Sequence, residues 1–372
     1  MKKNKRVTKA FIMAAGYGTR LEPMTFAVPK PMVPIVNKPT MLHNIELLRR
    51  NGIRQITANI HYHPEQIVNY FADGDDFGVD LTYSFEEELM GTAGGVWRMG
   101  RVVNKINETF LVLSSDALTD VNLQRLIDFH KKKKALATVA LSPVKSVEHF
   151  GVVKIDDDNR LLKFQEKPKK EEAISNLVNT GIYVFEPEIL DMIPQNKLYD
   201  FGKDLFPRLM EENIPVYGYH MIEYWSDVGT LDAYREANYD AMHGTVRINI
   251  PGKKVSACVW IGKNCRIDES VKFEGCVIVG DRCEIRAGAF VKDSIIGKMG
   301  VVGVDTKISD SIIWSDTFIS KNSDIKESVV GNWCFISEGV KINPKCIISN
   351  RCKIHKETKV AERTMLKPNE IL

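Results

Sequence analysis

Past residue 250 the chain repeats itself. Aligned on itself, it puts Cys258-Val-Trp260, Cys276-Val-Ile278, Ser294-Ile-Ile296, Ser311-Ile-Ile313, Ser328-Val-Val330, Cys346-Ile-Ile348 and Thr364-Met-Leu366 in one column, at steps of 18, 18, 17, 17, 18 and 18 residues. Inside each step apolar residues recur about every six positions. Ile261, Ile267, Phe273, Val279, Ile285 and Val291 show this, as do Ile336, Ile342, Ile348, Ile354 and Val360. A repeat this short cannot close a core by itself, so successive repeats must stack and cover one another's apolar faces. The runs are short and β-branched, and the long helical periods found earlier in the chain vanish around residues 247–254. Stacked turns of strand are expected from there on.

The pattern resembles the hexapeptide repeat of left-handed parallel β-helices, with three hexads to a coil. All 7 cysteines lie between Cys258 and Cys352. The resemblance stacks Cys258 on Cys276, Cys265 on Cys283 and Cys334 on Cys352, each pair one coil apart. The count is odd and there is no Cys-x-x-Cys, so neither a disulfide framework nor a zinc site is indicated. Reduced, partly buried thiols acting as packing ladders are expected, which suits a cytoplasmic protein. Some hexapeptide proteins are acyltransferases that use a histidine. This region has only His355 and no inserted loop, which argues for a role in oligomerisation or regulation through its long flat faces.

The first two-thirds of the chain alternates instead. Strand patterns at Ala10–Ala14, Ile53–Ile60, Leu81–Phe85, Phe110–Leu113 and Ala135–Leu141 are separated by helix patterns beginning near Pro39, at Pro64–Phe71, Thr92–Arg101 and Val121–Lys134. This is the signature of an α/β domain, a mostly parallel sheet with helices on both faces. Ligands in such sheets sit at the carboxyl ends of strands. With 372 residues, an α/β domain over 1–245 and a coil over 246–372 divide the chain. A net charge of +3 gives no case for a nucleic-acid or membrane partner. The basic start, Met1–Arg6, is not followed by a secretory apolar segment.

The first strand runs into Ala14-Ala-Gly-Tyr-Gly-Thr-Arg-Leu-Glu-Pro-Met-Thr25, and then Pro29-Lys-Pro-Met32. Gly16 and Gly18 allow positive φ and let backbone amides close on an anion, while Arg20 and Lys30 add fixed positive charge. Amide donors and cations together are what a triphosphate requires. Taken alone, such a loop is equally an ordinary tight turn after a strand.

The longer string resembles the signature of the sugar-1-phosphate nucleotidyltransferases, and the resemblance runs over essentially the whole chain. It implies a Rossmann-like fold in the first domain and joining of a nucleoside triphosphate to a sugar 1-phosphate with release of pyrophosphate. It implies that Ala14, Ala15, Gly16, Gly18 and Thr19 hold the nucleotide, with Arg20, Lys30, Asp116 and Lys167 as the catalytic group. Asp116 ends Val112-Leu-Ser-Ser-Asp116, where the family usually reads Gly-Asp. The resemblance further implies that Asp227, in Tyr224-Trp-Ser-Asp-Val-Gly-Thr230, joins Asp116 as the second ligand of Mg²⁺, and that Glu166 and Lys167 in Phe164-Gln-Glu-Lys-Pro168, with Asn179 and Gly181, take the sugar and its phosphate. Thr230 is placed to cap the last helix of this domain.

Within the family the phrases Tyr83-Ser-Phe-Glu-Glu-Glu88, Asp200-Phe-Gly-Lys-Asp-Leu-Phe-Pro207 and Tyr224-Trp-Ser-Asp-Val-Gly229 resemble the mannose-1-phosphate guanylyltransferases most closely. Gly91 and Thr92 open a helix whose amides could meet a phosphate or sugar edge. Ahead of them lie only carboxylates. An acceptor-only side chain such as Glu86 matches N1–H and N2–H of guanine and opposes the O4 acceptor of uracil or thymine. GTP with mannose 1-phosphate is therefore the leading pair. The alternatives are a glucose-1-phosphate enzyme using dTTP, UTP or ATP, and a non-catalytic subunit that only binds nucleotide sugars. Loss of Arg20, Lys30 or either aspartate would mark the latter, and all four are present.

Overall fold

The computed structural model describes residues 7–103 and 106–372, so the basic start Met1–Arg6 lies outside the described residues. The chain forms two compact units. One comprises the residues up to Tyr17 together with Thr40–Asp227; the other comprises Gly18–Pro39 and Val228–Leu372.

The first unit is built on a nine-stranded sheet. Its strands are β1 (Lys9–Met13), β2 (Gln55–Ile60), β3 (Asp80–Phe85), β4 (Phe110–Ser114), β6 (Ala137–Pro143), β7 (Gly151–Ile155), β8 (Leu161–Glu166), β9 (Leu177–Phe185) and β10 (Val216–His220), while β5 (Ala117–Thr119) lies off it. The path runs β8-β7-β9-β4-β1-β2-β3, with β6 attached at β9 and β10 parallel on the far side of β6. The centre, β4-β1-β2-β3, is parallel throughout, as the alternation requires. β9 enters antiparallel to both β4 and β6. Ala10, Phe11 and Ile12 of β1 are fully buried, because a central parallel strand is covered on both faces.

Among the described residues five α-helices connect these strands: α1 (Thr40–Arg50), α2 (Pro64–Phe71), α3 (Gly91–Val102), α4 (Leu123–Lys133) and α5 (Phe206–Glu211). α4 shows how local chemistry sets an end. Asn122 Oδ1 accepts from Arg125 N at 3.0 Å, so the helix starts two residues later than the apolar pattern suggests. Leu123, Leu126, Ile127 and His130, at helical spacing, form its buried face. The core is heavily aromatic: Phe11 meets Phe110 at 5.1 Å between centroids, and Phe185 meets Phe201 at 5.3 Å. Each such ring contributes about 1.5–3 kcal/mol by burial.

The second unit is a parallel β-helix. Three apolar stacks run through it in strict register: Ile267, Ile285, Val302, Ile319, Ile336 and Ile354; then Phe273, Val291, Ile308, Ile325, Ile342 and Val360; then Val279, Ile296, Ile313, Val330, Ile348 and Leu366. At one corner of every coil a residue takes positive φ: Asn264, Arg282, Met299, Asp316, Trp333, Arg351 and Asn369. Asn and Asp tolerate that conformation; Met299 and Trp333 adopt it because the stacked neighbours leave no other path.

Side chains in the column found by self-alignment form a ladder. Ser294 Oγ accepts from Ser311 N at 3.0 Å, Ser311 Oγ from Ser328 N at 3.1 Å, and Ser328 Oγ from Cys346 N at 3.2 Å. One cysteine expectation is overturned. Cys258 and Cys276 are joined in a disulfide rather than stacked as free thiols. Stacking itself is the reason, since it holds their Cα atoms 4.6 Å apart, inside the span a disulfide bridges. The other five cysteines are free. Burial pushes the Cys283 thiol up to about 12, and its Sγ donates to Gly297 O at 3.0 Å, so it is inert packing.

The last long helix, α6 (residues 231–243), starts at Thr230, whose hydroxyl caps Ala233 N as expected. It belongs to the coil's unit, as does Gly18–Pro39, although the sequence pattern changes only near residue 245. Trp314 Nε1 donates to Tyr234 OH at 2.7 Å, Val36 N to Asn238 Oδ1 at 2.9 Å, Asn37 Nδ2 to Ile296 O at 2.9 Å, and Ser349 Oγ to Pro23 O at 2.9 Å. These bonds tie both segments to the coil.

Candidate active site

One strand pairing brings the backbones of two aspartates 111 positions apart, Asp116 and Asp227, close together past the end of β4. A short strand, β11 (Trp225–Asp227), pairs antiparallel with β5, setting Trp225 opposite Thr119, Ser226 opposite Leu118 and Asp227 opposite Ala117. Asp227 therefore stands beside Asp116. The pairing is locked at its far end, where Tyr224 N donates to Asp120 Oδ1 at 3.0 Å and Thr119 Oγ1 to Tyr224 O at 2.7 Å. Ser114 Oγ donates to Asp116 Oδ1. Ser115, in the place where the family has glycine, is buried and donates its amide to Met13 O at 3.0 Å, joining the ends of β4 and β1. Two carboxylates with a hydroxyl beside them are hard oxygen donors, the set that a small divalent cation such as Mg²⁺ accepts.

A bulge in β9 faces this pair. Register slips between Asn179 and Tyr183, and Asn179 Oδ1 accepts from Gly181 N at 3.0 Å while its Nδ2 donates to Tyr183 OH at 2.8 Å. Gly181 has φ of 74°, and a Cβ there would lie 2.8 Å from Ser114 Cβ. Only glycine permits that approach. Trp225 Nε1 donates to Thr180 O at 3.0 Å, so the bulge and the strand bearing Asp227 are fastened to each other.

Glu166 ends β8, with Lys167 next to it at φ of 46° and its Nζ 3.8 Å from Glu166 Oε1. Burial, with the carboxylates of Glu166 and Asp200 adding to it, pushes the Tyr183 phenol well above its ordinary range.

The nucleotide side is organised by a chain of bonds that spacing alone does not reveal. Asn59 Oδ1 accepts from Ala14 N at 2.7 Å, and Asn59 Nδ2 donates to Glu86 Oε1 at 2.6 Å. Met90 N donates to Glu86 Oε2 at 3.1 Å. Glu86 is buried, unlike exposed Glu87 and Glu88. Tyr17 OH lies 2.9 Å from His61 Nε2, and His61 Nδ1 lies 2.8 Å from Glu86 O. The Gly loop and the acidic segment are therefore coupled through Asn59 and His61.

Gly16 is exposed, with open space where a Cβ would sit. At the start of α3 the expected free amides are taken: Thr92 N donates to Asp200 Oδ1 at 3.0 Å, and Ala93 N and Gly94 N to Tyr199 O at 2.9 and 3.0 Å. A Cβ on Gly91 would lie 2.7 Å from Tyr199 O, so Gly91 is required for that close approach.

Within the second unit, Gly18 takes φ of 72° and its carbonyl accepts from Thr25 Oγ1 at 2.9 Å. A Cβ there would meet Lys30 Cβ at 2.9 Å. Lys30 is buried, while Thr19 and Arg20 are exposed on a single 3-10 turn. Sequence reading did not single out Asn59, Ser114, Asp200 or Trp225. Of these, Asp200 and Trp225 stand inside phrases that carry the family resemblance; Asn59 and Ser114 carry no local signal.

Residues 9–244 match the family described as Nucleotidyl transferase, well over half of the chain. The chain belongs to that family. Residues 256–360 of this nucleotidyltransferase match the family described as EIF2B subunit epsilon LbH domain, which agrees with the left-handed coil expected from the hexads. The chain is 38% identical over 331 residues to the UTP--glucose-1-phosphate uridylyltransferase of Synechocystis sp., covering 81% of this chain and 85% of that protein. It is 32% identical over 320 residues to the probable mannose-1-phosphate guanylyltransferase 3 of Oryza sativa subsp. japonica, covering 79% and 87%. Among solved structures, a putative glucose-1-phosphate thymidylyltransferase from Bacillus anthracis shares the fold, with a TM-score of 0.56, 24% identity, and coverage of 62% of this chain and 93% of that one. Among the described residues no helix is long and apolar enough to cross a membrane.

Proposed function

We propose that this chain transfers a guanylyl group from GTP to mannose 1-phosphate, giving GDP-mannose and pyrophosphate. The observation that carries the reading is the register of β11 on β5, which sets Asp227 beside Asp116. Asp116 and Asp227 would hold Mg²⁺, and the ion when bound supplies charge neutralisation on the phosphates. The phosphate oxygen of the sugar 1-phosphate is already anionic at neutral pH, so the chemistry asks for positioning and charge stabilisation rather than a general base. Arg20 and the amides of Ala14 to Thr19 hold the triphosphate; Lys30 and Lys167 bring two anions together. Glu166, Asn179 and Gly181 hold the sugar. Gly91 and Thr92 shape the base side through Tyr199 and Asp200.

Glu86 favours guanine. Each of its oxygens accepts one bond from inside the protein, which fixes an acceptor-only carboxylate beside the Gly loop, the type of group that matches N1–H and N2–H. The second reading, UTP with glucose 1-phosphate, is favoured by the 38% identity to the Synechocystis enzyme. Pyrophosphate release measured for GTP, UTP, dTTP and ATP against mannose and glucose 1-phosphates separates them. The GTP–mannose pair should exceed every other by at least tenfold; a larger rate with UTP and glucose 1-phosphate would overturn the assignment. The same chain acts in the cytoplasm as a homo-oligomer joined through the coil. Exposed Trp333 and Phe335 on its surface support that contact, and sedimentation of the intact chain tests it.

A further inference from the structure

We propose that the second unit carries a transition-metal site, selective for Zn²⁺, made by Cys258, Cys276, His243 and Asp293 when the Cys258–Cys276 disulfide is reduced. One nitrogen of His243, the sulfur of Cys276 and one carboxylate oxygen of Asp293 lie within 4.8 Å of one another. Ligand-to-ligand edges of a tetrahedral zinc site are on the order of 3.5 Å, so closing the site needs movements of about 1 Å. The His243 ring, partly exposed at the end of α6, can supply that movement.

The hydrogen bonding around His243 points to a cation. Its Nδ1 lies 2.9 Å from Tyr239 O, a carbonyl that can only accept, so Nδ1 carries a proton and Nε2 is the nitrogen left for a further partner. That nitrogen faces Asp293 Oδ1 at 4.0 Å, a gap that a ring proton or a metal ion fills. A backbone carbonyl on one ring nitrogen with a free lone pair on the other is also the arrangement that orients metal-bound histidines. The ring stacks on Tyr239 at 3.9 Å, which holds its plane. Asp293 Oδ1 accepts from Cys276 N at 2.8 Å, anchoring the carboxylate and leaving Oδ2 to coordinate. Cys258 Sγ sits 3.6 Å from Met242 O, on the same helix end as His243. A cavity of about 260 Å³ lined by Arg235, Tyr239, Met242, Asp293 and Asp310 gives a way in.

The site and the disulfide exclude one another. A dithiol reductant gives two electrons and two protons to the S–S bond, becomes a disulfide itself, and leaves two thiols; Zn²⁺ then displaces both thiol protons. Thiolate, imidazole and carboxylate together suit zinc and not Mg²⁺, so this site is distinct in chemistry from the Asp116–Asp227 pair.

The test uses the full chain, reduced with a phosphine that does not bind the metal and titrated with Co²⁺. One thiolate-to-cobalt charge-transfer band per chain is expected, displaced by Zn²⁺ and absent from oxidised protein. The band reports sulfur ligation, so Co²⁺ held by Asp116 and Asp227 does not contribute. The Cys258→Ser, Cys276→Ser double variant should lose it. His243→Ala, a change at a partly exposed position, should weaken Co²⁺ binding by at least about tenfold. The proposal is overturned if the band is absent, if it survives in the double serine variant, or if His243→Ala leaves affinity unchanged; the last result would leave His243 as an ordinary protonated partner of Asp293.

Discussion

The two units solve the burial of polar groups in opposite ways. In the coil the buried hydroxyls of one column repeat the bond made one turn earlier, as Ser294, Ser311 and Ser328 do. Each rung joins residues 17 or 18 apart, and the loss of one rung leaves the next intact. In the sheet unit no buried polar group repeats another. Glu86 depends on Asn59 and Met90, and Asp227 is brought to Asp116 by one short antiparallel pairing. A redundant lattice is suited to carrying load and presenting faces. A set of unique, long-range pairings can hold unlike charges at defined separations, which phosphoryl chemistry requires.

The contrast breaks most sharply at Asp116. Asp116→Asn should cut turnover roughly 10³-fold, as expected when several kcal/mol of charge stabilisation at phosphorus is lost, while the melting temperature stays close to that of the parent. Near-normal pyrophosphate release from that variant would remove Asp116 from the reaction. In the coil the pattern should reverse. Ile325 is fully buried in the middle of its stack, and Ile325→Ala should cost about 2–5 kcal/mol in denaturant unfolding with little change in kcat per folded molecule.

Gly181→Ala tests the tightest approach in the sheet unit. Positive φ and the 2.8 Å contact with Ser114 should together destabilise by about 1–3 kcal/mol and raise KM for the sugar phosphate more than KM for the triphosphate. Ser311→Ala should cost only about 1 kcal/mol, because one rung of a ladder is lost and its neighbours remain.

The smallest expected effect is a pH dependence. The hydrogen bond from His130 holds the Glu186 carboxyl below its ordinary 4.5, against burial and with help from Thr109. A carboxyl lowered on folding contributes stability that is complete above the unfolded value and is lost as pH falls through the folded one. Melting temperatures measured from pH 6 down to pH 3 should therefore fall less steeply below about 4.5 for Glu186→Gln than for the parent.

Much of this was legible in the residues because it is local. A period of 17 or 18 with apolar hexads can be read without coordinates, since each coil repeats one local geometry. The strand–helix alternation, the Thr230 cap and the Gly-x-Gly loop are likewise settled by neighbours in the chain. Asp116 and Asp227 were legible as a pair only through the family resemblance, because nothing in the 110 intervening residues states that the two segments pair.

Tertiary structure alone decided the rest. The boundary between compact units falls at Asp227, with Gly18–Pro39 returned to the coil, because Ser349, Ile296 and Asn238 bind that segment. The amide of Thr92 goes to Asp200, and Glu86 goes inward to Asn59. Cys258 and Cys276 were read as one rung of a ladder, yet a separation of 4.6 Å makes that rung a disulfide. Composition and periodicity act through neighbours a few bonds away and so specify elements. The partner that satisfies a buried charge is chosen by whichever distant group the packed fold brings within 3 Å, and no local pattern encodes that choice.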